Sequence, residues 1–307
     1  MNALSFGRAV GFIISLTGLV SRAQQTVFVW GDNAPPIPPG LEEVVAVDCN
    51  SGNFVALKRD GTVVTWAGGS ISAVPAGLER VVEIAAGDRF FLALKADGTV
   101  AAWGRNDWGQ AVVPAGLNEV VKIAAGGAHS LALKTNGTVV AWGLSEHGAT
   151  TMPPGLGEVA EIAAGDSFSV AVQKNGKPAA WGYNRDGQST VPAGLTNVVA
   201  VAGSDAHSLG LKSDGTVVGW GFCWPDRPPV IPAGLSGVVA IDARMYNSAA
   251  LKGNGEVVGW GVSNRVPSGM TGFVAVAASA LDVMGLKDAP PPASVEGAVG
   301  LPFFLNY

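Results

Sequence analysis

Residues 120 to 143 read VVKIAAGGAHSLALKTNGTVVAWG, and this stretch decides the fold. It contains three short apolar or alternating runs, Val120 to Gly126, His129 to Lys134 and Thr138 to Gly143, which are typical of β-strands. The dipeptide Asn136-Gly137 separates the last two runs and indicates a two-residue hairpin, in which both central residues take a positive φ. The stretch therefore predicts three short antiparallel strands.

The same frame recurs along the chain. Its closing tryptophan returns every 36 to 40 residues, at Trp30, Trp66, Trp103, Trp142, Trp181, Trp220 and Trp260. The hairpin dipeptide recurs at Asp60-Gly61, Asp97-Gly98, Asn136-Gly137, Asn175-Gly176, Asp214-Gly215 and Asn254-Gly255. A repeat of this length predicts a β-propeller, and a solenoid is the alternative.

The two ends of the repeat array complement each other. After Phe273 to Val276 and Val283 to Leu286 no third run follows, whereas Thr26 to Trp30 is a third run with nothing before it. Pairing them would complete a seventh blade and remove the exposed sheet edges of an open array. We therefore expect residues 24 to 287 to form an all-β, seven-bladed propeller, mainly with three antiparallel strands per blade, closed by its N-terminal and C-terminal strands.

The flanking segments predict export and a modular context. Arg8, the apolar run from residue 9 to 20 and Ser21-Arg22-Ala23 have the order of a signal peptide, so we expect residues 1 to 23 to be removed. The apolar run is shorter than the roughly 20 residues of a membrane span. Residues 288 to 307 begin as a proline-rich linker and continue as the start of a possible truncated immunoglobulin-like domain. The expected location is secreted, periplasmic or cell-surface.

Composition narrows the partners. The formal net charge is −5 and lysines are spread about one per repeat, so the concentrated positive charge that nucleic acid requires is absent from the sequence. Cys49 and Cys223 fall in distant repeats and are predicted to be free thiols. We expect a monomer.

The frame AAGxxHSLALKxNGTVVAWG resembles the repeat of the regulator of chromosome condensation family, whose members are seven-bladed propellers. The resemblance covers Thr26 to Lys287. The short repeat, with Val-Pro-Ala after Trp-Gly-x-Asn-x-x-Gly-Gln, resembles more narrowly the secreted β-lactamase-inhibitory propellers of bacteria, whose blades have three strands. The resemblance implies a fold and does not specify a function, since sites are grafted onto folds.

The variable loops predict the site. Turns between first and second strands, and loops after Trp-Gly, emerge on one face and differ between repeats, whereas the hairpins on the other face are nearly uniform. Aromatic residues interleaved with arginine and aspartate are typical of binding interfaces, and the alternative is that they only cover the mouth of the propeller. The candidate binding residues are Arg89, Asp107, Trp108, Tyr183, Arg185, Phe222, Trp224, Arg227, Met245 and Tyr246.

The sequence motifs do not identify candidate catalytic residues. His129 and His207 stand where Phe90 and Phe168 stand in other repeats, so we expect them to be packed side chains and predict no metal site and no cofactor. The repeat tryptophans are expected in the core.

These observations favour an exported, non-enzymatic binding module that recognises an extracellular protein or a glycan. One alternative is an inhibitor of β-lactamase, although only Met245-Tyr246 supplies an aromatic residue among the turns that the inhibitory propellers use. Another is a propeller hydrolase or lyase that uses carboxylates of the loop face.

Overall fold

The structure, a computed structural model, describes residues 25–31, 35–67, 72–222, 230–262, 266–279 and 282–288. The described residues form an all-β chain, as predicted. Its strands in chain order are β1 (Gln25–Gly31), β2 (Val44–Asn50), β3 (Asn53–Lys58), β4 (Val63–Ala67), β5 (Val81–Ala86), β6 (Phe90–Lys95), β7 (Val100–Gly104), β8 (Val120–Ala125), β9 (His129–Lys134), β10 (Val139–Gly143), β11 (Val159–Ala164), β12 (Phe168–Gln173), β13 (Pro178–Gly182), β14 (Val198–Gly203), β15 (His207–Lys212), β16 (Val217–Gly221), β17 (Val238–Arg244), β18 (Asn247–Lys252), β19 (Val257–Gly261), β20 (Phe273–Ala278) and β21 (Asp282–Asp288).

These strands form seven antiparallel sheets of three strands each, which we number as blades. Blade 1 contains β2 to β4, and blades 2 to 6 follow in chain order, each with an inner, a middle and an outer strand. Inner strands of neighbouring blades contact one another around the ring, so they surround its axis. The fold class is therefore the predicted seven-bladed propeller.

Blade 7 is built from both ends of the chain. Strand β21 pairs with β20 on one side and with β1 on the other, with Trp30 opposite Val283 and Val27 opposite Leu286. Blade 7 also packs against the inner strand of blade 1. The prediction that Thr26 to Trp30 closes the ring is confirmed.

The core lies between the blades. One cluster, for example, joins Phe90 and Leu92 of blade 2 to Ile123 and Trp142 of blade 3. Six of the repeat tryptophans are buried: Trp66, Trp103, Trp142, Trp181, Trp220 and Trp260. Because each apolar face is covered by the next blade, the ring buries both faces of every sheet.

The hairpins differ from the predicted two-residue type I′ turn. In blade 1, Gly61 N–H donates to Lys58 O at 2.9 Å and only Gly61 of the central residues has a positive φ, 83°. This is a three-residue turn with glycine in the left-handed position. The Asp60 carboxylate accepts hydrogen bonds from Thr62 N–H at 3.0 Å and Thr62 Oγ1 at 2.6 Å. The turn therefore uses the aspartate side chain as a hydrogen-bond acceptor.

Gly61 also joins blade 1 to blade 2. Its carbonyl oxygen accepts the N–H of Val81, the first residue of the next inner strand, at 3.2 Å. A Cβ at position 61 would lie 3.1 Å from the Cα of Arg80, so the close approach requires glycine as well as the positive φ.

Cys49 is a buried free thiol, as predicted, whereas Cys223 lies outside the described residues. The described chain has no helix with the length and apolarity needed to cross a membrane. The predicted signal peptide, residues 1–23, also lies outside the described residues. The same holds for residues 289–307, which make up nearly all of the predicted linker segment.

Candidate functional site

The two ends of the ring carry different kinds of connection. Gly104, at the end of an outer strand, pairs with Phe90, at the start of the adjacent middle strand. The connections after Trp-Gly therefore leave the ring beside the turns that join inner and middle strands, as predicted. We call this end the loop face, and the end with the Asp-Gly hairpins the hairpin face.

Two side chains of the repeat motif hold the loop of blade 2. Asn106 Oδ1 accepts the N–H of Ala111 at 3.0 Å, and Gln110 Oε1 accepts the N–H of Trp108 at 2.9 Å. The equivalent bonds in blade 4 run from Ser189 N to Asn184 Oδ1 and from Asp186 N to Gln188 Oε1. The Asn-x-x-Gly-Gln pattern thus fixes the backbone and leaves the intervening side chains free to vary.

Blade 2 carries a charged and aromatic patch. Arg105 donates from Nε to Asp107 Oδ2 at 2.6 Å and from Nη1 to Asp88 Oδ2 at 2.8 Å. Arg89 Nε lies 4.0 Å from Asp88 Oδ1, with 75% of its side chain exposed. Trp108 is 53% exposed on the same loop. The predicted residues Arg89, Asp107 and Trp108 are therefore brought together, with Arg105 linking them.

A second aromatic group spans blades 3 and 4. The rings of His147 and Tyr183 lie 4.7 Å apart between centroids. Tyr183 is half-buried, and Arg185 on the same loop is exposed. This group joins the predicted Tyr183 to His147, which was not predicted to contribute, and Arg185 lies on the same loop as Tyr183.

Blades 5 and 6 carry the remaining predicted residues. Met245 and Tyr246 form the turn between β17 and β18, and each is 39% exposed. Phe222 is half-buried at the start of the blade 5 loop, where its N–H donates to Ala206 O at 2.7 Å. Trp224 and Arg227 lie outside the described residues.

Two of these residues have strained backbones. Arg89 has a φ of 61° and Met245 a φ of 47°, both in the left-handed region. This conformation costs about 1 kcal/mol or more for a residue other than glycine, and such strain concentrates at functional sites. The same conformation also occurs at Ser51, in the equivalent turn of blade 1, and before inner strands at Glu43, Arg80, Glu119 and Asn197, so it belongs to the repeat and does not by itself mark a site.

A buried arginine closes the axis beneath these turns. Arg244, at the end of β17, is 8% exposed. Its guanidinium donates to three backbone carbonyl oxygens on the far side of the ring, those of Ala86 at 3.2 Å, Ala125 at 2.9 Å and Ala164 at 3.4 Å. Because these belong to blades 2, 3 and 4, one side chain of blade 6 ties together inner strands across the axis.

Above Arg244 lies a polar cavity of about 150 Å³. It is lined by Asn50, Ser51, Asp88, Gly127, Asp166, Asp205, Arg244 and Met245. Burial, and after it the charge of Asp166, raise the pKa of Asp205 to about 6, although the charge of Arg244 acts in the opposite direction. Of the predicted site residues that the structure describes, Met245 alone lines this cavity.

Two further carboxylates lie at the axis. Asp48 and Asp242 occupy equivalent positions on the inner strands of blades 1 and 6. Burial raises the pKa of Asp242 to about 7, and the charge of Asp48 adds to the rise. Burial also raises the pKa of Asp48, while Arg244 opposes it.

The histidines are packed between blades, as predicted. His129 Nε2 lies 3.0 Å from Ser169 Oγ, and His207 Nε2 lies 2.9 Å from Ser248 Oγ. Burial lowers the pKa of both imidazoles to about 4, so they are neutral near pH 7. Within the described residues, no group of three or more His, Cys, Asp or Glu side chains could hold a metal ion.

Sequence reasoning missed Arg244, Asp48 and Asp242, although a signal was present. Most repeats end the inner strand with Ala-Ala-Gly or a close variant, whereas residues 48–50 read Asp-Cys-Asn and residues 242–244 read Asp-Ala-Arg. Asp48 and Asp242 stand where the other repeats have alanine, and Arg244 stands where the other repeats have glycine, serine or asparagine. A charged residue at such a position indicates a special role at the axis.

Comparison with known proteins supports the fold. Residues 81–110, 120–149 and 198–222 match the sequence model of the regulator of chromosome condensation (RCC1) repeat. A search of curated proteins gives no significant match.

Several solved structures share the architecture. Prp20p from Saccharomyces cerevisiae has a TM-score of 0.71 and 18% identity, over 89% of this chain and 93% of that chain, and its structure was reported with its binding properties to Gsp1p and histones. Human WBSCR16 has a TM-score of 0.69 and 20% identity, over 87% and 100%. The ectodomain of the Physcomitrella patens receptor kinase CR4 has a TM-score of 0.65 and 23% identity, over 77% and 68%. At these identities the likeness shows the fold.

Proposed function

The chain is a seven-bladed propeller of regulator of chromosome condensation repeats, and on that premise we propose that it is an exported binding module that recognises a protein through its loop face. The observation that carries the proposal is the exposure of Trp108, Met245 and Tyr246 on this face, beside the arginines of blades 2 and 4. Aromatic and arginine side chains supply most of the binding energy at protein interfaces.

The arrangement favours a protein over a small ligand. The exposed groups belong to blades 2, 3, 4 and 6, so only a partner that covers much of the ring would contact them together. The axial cavity, at about 150 Å³, is smaller than the roughly 300 Å³ at which ligand pockets begin. These features favour binding over catalysis.

The relatives supply precedents for this use of the fold. Prp20p was studied for its binding to Gsp1p and histones, and the CR4 propeller belongs to a receptor ectodomain. Export of this chain is inferred from residues 1–23, so the expected partner is an extracellular or periplasmic protein.

The experiment places a photo-crosslinking amino acid at Trp108, and in a matched control at Lys95 near the hairpin face. Each full-length protein is exposed to the extracellular proteins of the source organism. We expect position 108 to label one predominant protein that position 95 does not label. Equal labelling from both positions would contradict the choice of face.

Affinity for the labelled protein then tests individual residues. Trp108→Ala and Tyr246→Ala should each weaken binding by more than about 1 kcal/mol, a fivefold or larger rise in Kd. Lys95→Ala should bind as the unsubstituted chain does. If protease treatment of the partner preserves binding and periodate oxidation of its sugars abolishes it, the ligand is a glycan and not a protein surface.

A further inference from the structure

The axis holds a buried cluster whose charges do not balance. At the position of Asp48 and Asp242, the five other blades have alanine: Ala85, Ala124, Ala163, Ala202 and Ala277. Arg244 is the cation that acts on both carboxylates. Two carboxylates therefore share the charge of one guanidinium at the axis, where Asp48 and Arg244 are buried and Asp242 is half-buried.

Each carboxylate joins two blades. Asp48 accepts the N–H of Cys49 on its own strand at 2.8 Å, and the N–H of Ala86 on blade 2 at 2.8 Å. The oxygens of Asp242 make the same two kinds of bond, to Ala243 N–H at 2.9 Å and to Ala278 N–H of blade 7 at 2.7 Å. With Arg244, which binds blades 2, 3 and 4 from blade 6, these side chains connect six of the seven blades.

A second buried cation on an inner strand is already paired. Lys122, on the inner strand of blade 3, is buried and forms an ion pair with Glu161 of blade 4. An uncompensated charge in a buried site is costly, and such a site commonly takes up a proton instead. One proton on the two carboxylates would leave a single negative charge on this pair opposite Arg244.

We propose that Asp48, Asp242 and Arg244 form a proton-dependent lock on the propeller axis, in which the two carboxylates share one proton and its loss loosens the joints between blades. The lock is a property of the ring and does not depend on the identity of any partner.

The direction of the effect follows from linkage. The pKa of Asp242 in the folded protein is raised to about 7, above the ordinary value of 3.8, so the folded state holds a proton that the unfolded state has lost. Stability is therefore greatest at low pH within this window and falls as the pH rises from about 4 through 7. The raised pKa of Asp48 acts in the same direction.

Other groups around the pair are accounted for. The Cys49 thiol, beside the pair, has a pKa raised well above its usual value by burial and by the nearby aspartates, so it stays protonated. Asp282 of β21 contributes a third negative charge near the thiol. On the strands packed against β2 and β17, Glu83 is buried on β5, and His207 of β15 has a pKa of about 4 and is neutral. The remaining charged groups on these strands stand at the hairpin ends: Lys58, Lys212, Lys252, Lys287 and Asp288.

Thermal unfolding of the full chain between pH 6 and 8.5 tests the lock. Relative to Asp242→Asn, the unsubstituted protein should lose about 4 °C in Tm across this range, as expected for one group with a pKa near 7 in a protein of this size. The opposing contributions of His129 and His207 are common to both proteins and cancel in this comparison. Asp242→Asn, which mimics the protonated acid, should flatten this dependence. The matched control Asp205→Asn removes a carboxyl of the axial cavity with a pKa of about 6 and should leave most of the slope. Parallel curves for Asp242→Asn and the unsubstituted protein would overturn the proposal.

A second measurement tests the same proposal if Asp242→Asn does not fold. Infrared spectra of the unsubstituted protein should contain a carbonyl band of a buried, protonated carboxyl group at pH 6 that disappears by pH 8.5. Asp48→Asn should change the frequency or the midpoint of that band, because it removes the partner charge. A spectrum without any such band at pH 6 would overturn the proposal.

Discussion

Blades 3, 4 and 5 hold their tryptophans differently from blades 1 and 2. In the first group the indole N–H donates to a loop carbonyl of the preceding blade at 2.8 to 2.9 Å, and a serine hydroxyl on the adjacent middle strand donates to the same oxygen at 2.8 Å. The three sets are Trp142 and Ser130 on Gln110 O, Trp181 and Ser169 on Ala149 O, and Trp220 and Ser208 on Gln188 O.

In blades 1 and 2 a phenylalanine replaces the serine. Phe54 stacks on Trp66 and Phe91 stacks on Trp103, each with ring centroids 5.4 Å apart. The indole nitrogens of these two tryptophans are buried and have no hydrogen-bond partner in the described part of the chain. The same position is thus secured either by a polar clamp or by an aromatic stack.

The difference matters for the loop face. A clamp ties the loop of one blade to the core of the next, and the clamped loops are those of blades 2, 3 and 4, which carry Trp108, His147 and Tyr183. The clamps therefore keep the candidate binding residues on a fixed backbone, which lowers the entropy cost of binding.

The largest effect is expected in blade 7, where the two ends of the chain pair. In blade 7, Trp30 packs against Phe273 with centroids 5.2 Å apart, and both Trp30 and Phe28 come from β1. Deleting residues 25–31 together with the segment before them should destabilise the ring by several kcal/mol, because it exposes a sheet edge and removes several apolar side chains. Thermal unfolding measures this, and a chain that begins at Gln24 is the control. An equal Tm for the two chains would contradict closure of the ring by β1.

The repeat itself could be predicted from the sequence because it depends on local patterns. The alternation of the strands, the position of Trp30 and the missing third strand after Leu286 were sufficient to predict seven blades and their closure. The hairpin type was predicted wrongly, because the side chain of Asp60 accepts hydrogen bonds within the turn and only Gly61 takes a positive φ.

The axial cluster could not be predicted, because its residues meet only when the ring closes. Asp48 and Arg244 are far apart in sequence, and Arg244 contacts carbonyl groups, which carry no side-chain signal. The grouping of Arg89 with Asp107 depends on Asp88 and Arg105 in the same way, since a four-residue charge network has no pattern in sequence.

A second prediction concerns the middle-strand residue that directly precedes the serine or phenylalanine opposite each repeat tryptophan. His129 stands where Phe90 and Phe168 stand in the neighbouring blades, and burial lowers its pKa to about 4. Because the folded pKa lies below the unfolded value of 6.5, stability is present above pH 6.5 and is lost as the pH falls towards 4. Between pH 7.5 and pH 5, the change in the free energy of unfolding should therefore be about 2 kcal/mol more favourable in His129→Phe than in the unsubstituted protein.

Urea unfolding at the two pH values measures this difference. The control is Phe168→Tyr, which perturbs the equivalent position without adding a group that titrates in this range. An acid dependence in His129→Phe that matches the unsubstituted protein would show that the buried imidazole does not drive the loss.

The smallest expected effect measures the clamp directly. Trp181→Phe and Trp103→Phe remove similar apolar surface from equivalent buried positions, but only Trp181 loses a hydrogen bond, the one to Ala149 O at 2.8 Å. Trp181→Phe should therefore cost about 1 kcal/mol more in the free energy of unfolding than Trp103→Phe, the usual net contribution of such a bond. Urea titration with equal m-values for the two variants provides the measurement. Ser169 still donates to Ala149 O in the variant, so the carbonyl keeps a partner and the difference reports the indole N–H alone. Equal losses for the two variants would mean that the clamp contributes nothing beyond packing, and the contrast between the two groups of blades would then be one of geometry without a difference in stability.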